Sequence, residues 1–146
     1  MTIIMLDPKY FAIHCSATPP TMDIGDKEIK EWHLEKGWSD IGYHVIIRRD
    51  GRIEYGRAFD VLGAHVKGFN SVSLGVCLIG GVDGEGTPRN NYTVRQYHTL
   101  ERVLNALHLL FPDAVVRGHR DFPGVDKACP SFDVQRWCRN KWIKFG

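Results

Sequence analysis

The sequence predicts a single domain of α/β or α+β class, with strands and helices interleaved along the chain. Three observations carry that expectation. Residues 10–16 and 74–79 are apolar runs rich in strand formers, which read as buried strands. Residues 93–110 repeat apolar side chains at helical spacing, with Leu100, Val103, Leu104, Leu107 and Leu110 on one core stripe. The 146 residues, 43% hydrophobic and 25% charged, suit one domain with a real core and exclude disorder and collagen-like structure.

In chain order, the first strand stops at Ala17-Thr18-Pro19-Pro20. With period two, Ala12, His14 and Ser16 share one face, and Phe11, Ile13 and Cys15 the other. His14 thus stands near the C-terminal end of a core strand. Asp26 is the expected N-cap of a helix over 27–35, and Gly37 its stop. Strands over 43–48 and 52–55 flank Arg49-Asp50-Gly51, a hairpin signal, with Arg48, Arg49 and Arg52 read as a solvated tip. Residues 57–73 look irregular. Gly80-Gly81 closes the second apolar strand, and 83–91 is a polar surface loop. Thr93 caps the long helix and Phe111-Pro112 ends it. A short strand over 114–117 delivers His119, and Asp133 caps a last helix carrying Trp137, Trp142 and Ile143. With no internal repeat, low-complexity segment or linker, residues 1–146 are expected to form one domain.

The net charge of +2 falls short of a dedicated nucleic-acid binder. No stretch approaches the roughly 20 apolar residues of a membrane span. Met1–Lys9 has no basic n-region and its apolar run stops at Asp7, so no signal peptide is expected. Cys15, Cys77, Cys129 and Cys138 are too scattered for a disulfide scaffold; reduced thiols, one of them serving a metal, are the reading.

The chemistry concentrates in residues 117–130. This loop holds His119, Lys127 and Cys129 and is stiffened by Pro123 and Pro130. Imidazole and thiolate are ligand types that zinc prefers, and a cation two residues before a thiol favours the thiolate. His14 offers a third donor. Three protein ligands of N, N and S type leave one tetrahedral position for water, which is the catalytic arrangement rather than the closed structural one. Taken singly, each residue has a bland role too: His14 as a hydrogen-bonded core histidine, Cys129 as a small buried hydrophobe.

Six blocks occur in order: Ile13-His14-Cys15-Ser16-Ala17-Thr18, Gly42-Tyr43-His44, Gly63-Ala64-His65-Val66-Lys67-Gly68-Phe69-Asn70, Ser73-Leu74-Gly75-Val76, Gly118-His119-Arg120-Asp121 and Lys127-Ala128-Cys129-Pro130. Together they make the chain resemble the zinc-dependent N-acetylmuramoyl-L-alanine amidases of the peptidoglycan-recognition superfamily, and especially the compact phage lytic amidases. The likeness runs over nearly the whole chain. It implies a central mixed sheet of about five strands flanked by helices, and one Zn2+ per chain held by His14, His119 and Cys129. It implies catalytic roles for Tyr43 and Lys127, Tyr43 handling the proton of the attacking water and Lys127 donating to the oxyanion. His65 and Asn70 are expected to line a groove for the muropeptide, while His44 and Cys77 are read as structural.

The implied substrate is bacterial peptidoglycan, cut between N-acetylmuramic acid and L-alanine to lyse a phage host. The expected chain is a monomer with no nucleic-acid or membrane partner, held in the host cytoplasm until another factor opens the membrane. The sequence leaves two rivals. One is a binding module without turnover, against which the presence of Cys129 argues. The other is an amidase that also binds and regulates a cytoplasmic enzyme such as an RNA polymerase; Met1–Lys9 and the basic hairpin are its candidate contacts, with no signature for the partner.

Overall fold

The two apolar runs form the middle of a sheet. A computed structural model describes residues 7–146; the first six residues of the Met1–Lys9 segment, with its candidate partner contact, lie outside them. The elements are β1 (Tyr10–Cys15), α1 (Asp26–Glu35), β2 (Val45–Ile47), β3 (Ile53–Tyr55), β4 (Ser73–Leu78), α2 (Val94–Leu110), β5 (Val115–Gly118) and α3 (Val134–Asn140). The strand order is β3-β2-β4-β1-β5. β1 runs parallel to β4 and β5, β2 runs parallel to β4, and β3 is an antiparallel edge, so the five-stranded sheet is mixed as expected. No helix among the described residues is long and apolar enough to cross a membrane.

Strand alternation gives the sheet two unlike faces. Phe11, Ile13, Val45, Ile47, Leu74, Val76 and Leu78 pack against Leu100, Val103, Leu104 and Leu107 of α2 and Val134 and Cys138 of α3, forming the main core. The opposite face carries Ala12, His14, Ile46, Gly75 and Cys77. It is covered partly by α1, through Ile29, and otherwise by irregular chain. Polar chemistry is accommodated on that second face, at the C-terminal ends of the parallel strands, where open α/β sheets bind ligands.

Several expectations need correction. α1 begins one residue early, with Gly25 as N-cap. Glu28 Oε2 accepts the Gly25 N–H at 2.9 Å and Glu54 Oε1 accepts the Asp26 N–H at 3.0 Å, so the first donors are satisfied without an Asp26 cap. Leu110 is 62% exposed, because the last turn of α2 ends in an open surface groove beside Ile53 and Tyr55 of the edge strand β3 and Phe59. α3 ends at Asn140; Trp142 lies beyond it in the left-handed region at φ 58° and is 96% exposed.

The arginine tip is also not a solvated face. Arg48 bridges Asp23 and Glu54. Arg49 donates to the carbonyls of Ile79 and Asn91 and to Gln96 Oε1. Only Arg52 pairs in the open, with Asp50. Gln96, wholly buried on α2, completes the knot. Its amide donates to the Ile47 and Ile79 carbonyls at 3.3 and 2.8 Å, and its oxygen accepts the Thr93 N–H at 3.0 Å. A buried amide with every partner made ties the helix start to the ends of β2 and β4.

Candidate metal centre

His14 is the fifth residue of β1 and sits on the sheet's second face, 1% exposed. β5 pairs with β1 through Gly118, and the chain turns at once into a 3-10 turn over His119–Asp121, which sets His119 beside His14. An Arg120 N–H to Cys129 carbonyl bond of 2.9 Å folds the following loop back, and Cys129 arrives at the same point. One nitrogen each of His14 and His119 and the Cys129 sulfur all lie within 4.8 Å of one another. The two imidazole centroids are 4.5 Å apart.

That donor set fits zinc. Ligands at zinc bond lengths sit about 3.3–3.8 Å apart around a tetrahedron, so a small contraction suffices. His119 Nδ1 is buried with no hydrogen-bond partner among the described residues, a costly state unless something takes its lone pair. Beside this cluster, with His119 on its wall, opens a groove of about 610 Å³ lined by Trp38, His65, Asn70, His119, Val125 and Lys127.

The electrostatics suit a cation as well. Burial drives the His14 pKa well below its ordinary value, with His65, His119 and Lys127 adding to it. Burial and then Lys127 bring His119 down to about 4. Both rings are therefore neutral near pH 7, the form a metal requires. The Cys15 thiol and burial push the Cys129 thiol up, while the Cys15 peptide N–H, 3.2 Å from the sulfur, pulls the other way. Coordination by a cation deprotonates such a thiol outright.

The Tyr43 ring lies 5.0 Å from the His14 ring, and burial raises its pKa well above the usual phenol, so it remains an O–H donor. Lys127 stands exposed at the groove edge. His65 lines the groove, but its ring also bonds His14, with Nδ1 2.9 Å from His14 Nε2. Asn70 lines it too, yet its Oδ1 accepts the N–H groups of His65 and Val66. His44 is wholly buried; its ring donates to the Val61 carbonyl and accepts from the Gly75 N–H. Cys77 is core. The approach of Cys15 to Cys129 and the His14–His65 bond were missed from sequence, although both Cys15 and His65 sit inside the blocks quoted above.

The buried imidazoles make stability pH-dependent. His44 is held below its ordinary pKa by burial, and His65 falls to about 3 from burial and His44. The unfolded chain takes up these protons near pH 6.5 and the folded chain does not, so stability rises with pH. It is fully present above about pH 6.5 and is lost as the pH falls toward the folded values. Each group contributes up to about 1.4 kcal/mol per pH unit across that window. Melting temperature is expected to drop steadily from about pH 7 to about pH 5; a flat profile there would contradict it.

Comparison with known proteins gives one consistent picture. The family model described as N-acetylmuramoyl-L-alanine amidase matches residues 5–132. The endolysin of Enterobacteria phage K11 is 54% identical over 129 residues, covering 88% of this chain and 84% of that protein. The endolysin of Klebsiella phage KP32 is 53% identical over 125 residues, covering 86% and 82%. The solved amidase LysC from Clostridium intestinale superposes with a TM-score of 0.80 over 99% of this chain and 94% of that one; at 24% identity it shows the shared fold.

Proposed function

The chain belongs to the N-acetylmuramoyl-L-alanine amidase family and is a peptidoglycan amidase of the endolysin kind, and from that premise we propose that residues 1–146 form one zinc-dependent catalytic domain. Its reaction is hydrolysis of the amide between N-acetylmuramic acid and L-alanine. His14, His119 and Cys129 hold the ion. The observation that carries this reading is the convergence of their three donor atoms beside an open groove.

The chemistry zinc supplies when bound is Lewis acidity toward water and the scissile carbonyl. The rest falls to the chain. The groove orients the muramyl-peptide so that its amide lies over the second face of the sheet. Tyr43, kept protonated by burial, hydrogen-bonds the attacking water and helps pass its proton toward the leaving amine. Lys127 donates from the groove edge to the oxygen that gains charge in the tetrahedral intermediate. His65 and Asn70 border the substrate. The enzyme acts as a monomer, held in the host cytoplasm and reaching the wall after another factor opens the membrane.

The test uses purified peptidoglycan. The expected products are new alanine amino-termini without new reducing sugar ends. A chelator stops the release and about one zinc per chain restores it. Release of reducing ends, or full activity in a metal-stripped chain, contradicts the proposal.

A further inference from the structure

His65 sits in the irregular segment between β3 and β4, and its ring makes two hydrogen bonds. Nε2 lies 3.3 Å from the Ser73 carbonyl oxygen, and Nδ1 lies 2.9 Å from His14 Nε2. A carbonyl oxygen only accepts, so His65 Nε2 carries the hydrogen. A neutral imidazole has one such hydrogen, which leaves His65 Nδ1 as an acceptor. The hydrogen between the two rings therefore belongs to His14 Nε2. His14 Nδ1 is then a bare lone pair, the one ring nitrogen left for His119 and Cys129 to share an ion with.

The seat of the His65 ring is closely built. A Cβ added at Gly75 would stand 2.8 Å from His65 Cγ, and one at Gly63 would stand 2.5 Å from His65 Cδ2, so only glycine leaves room for the ring. Asn70 Oδ1 accepts the His65 N–H at 2.8 Å and the Val66 N–H at 2.9 Å, which fixes the backbone that carries the ring. The His14 and His65 rings meet at 86°. Gly63, Asn70, Ser73 and Gly75 all bear on one outcome, the placement of a single acceptor atom against His14.

We propose that His65 is a positioning residue: it relays the Ser73 carbonyl through its ring and locks His14 as the Nε2–H tautomer, presenting Nδ1 to the metal. This deepens the metal-centre reading above and rests on it.

Long-range 1H–15N correlations of the imidazole rings in the zinc-free full chain read the tautomers directly. Both His14 and His65 are expected to carry hydrogen on Nε2. A His14 that carries it on Nδ1 overturns the proposal without any variant. His65→Asn keeps an acceptor where Nδ1 stands, while His65→Leu keeps none. The Asn variant should hold the His14 tautomer and the parent zinc affinity to within about threefold, whereas the Leu variant should show mixed tautomers and bind zinc about 10–100-fold more weakly against a competing chelator. If the Leu variant does not fold, His65→Gln replaces it, because its longer amide reaches toward Ser73 instead of His14. A folded Leu or Gln variant with the parent's tautomer and zinc affinity overturns the proposal. Failure of the parent to bind zinc would strike the metal reading instead, and the tautomer measurement stands apart from it.

Discussion

Cys129→Ser is expected to empty the metal centre and lower amidase turnover by at least about 10³-fold, the equivalent of several kcal/mol of lost transition-state stabilisation. A serine hydroxyl does not ionise near neutral pH, so the site would retain two imidazoles and no anionic donor. The fold should survive. Cys129 is half-buried in a loop, and the bond that shapes that loop, from the Arg120 N–H to the Cys129 carbonyl, is made by backbone. Metal analysis, circular dichroism and release of alanine amino-termini measured together check this. A folded serine variant that keeps its zinc and more than about a tenth of the parent rate would refute the ligand assignment.

Lys127→Ala should lower kcat by about 10²–10³-fold with zinc content unchanged, the usual cost of removing one donor from a developing oxyanion. Lys127 is exposed and touches the groove rather than the core, so neither stability nor metal uptake should move. Tyr43→Phe offers the contrast. That half-buried ring lies 5.0 Å from the His14 ring, and loss of its hydroxyl removes a proton donor from beside the proposed metal site. If Lys127→Ala leaves turnover intact while zinc is bound, the lysine has no part in charge stabilisation.

Much of this was legible from residue type and order. His119 and Cys129 in one stiff loop offer two metal donors by residue type, but joining His14 to them across the chain took the family resemblance, because sequence spacing does not bridge that distance. The two buried core strands were plain from their apolar runs, whereas their parallel pairing was not. What stayed hidden depends on partners that only the fold brings together. Arg48 and Arg49 look solvated by local composition, but Asp23, Glu54 and Gln96 reach them from other elements. Leu110 continues a helical stripe perfectly well, yet it ends on the rim of an open groove beside the edge strand β3 instead of in the core. His65 reads as a groove residue until its ring is seen against His14, 51 positions away.

The three proposed ligands are unequally housed. His14 sits on β1, between β4 and β5 in the sheet, while His119 and Cys129 belong to the stretch that follows β5. Reactivity and architecture are thus stored in different parts of the chain. On the proposed ligand assignment, loss of the Cys129 sulfur would disable hydrolysis while leaving the sheet and the cleft above it in place.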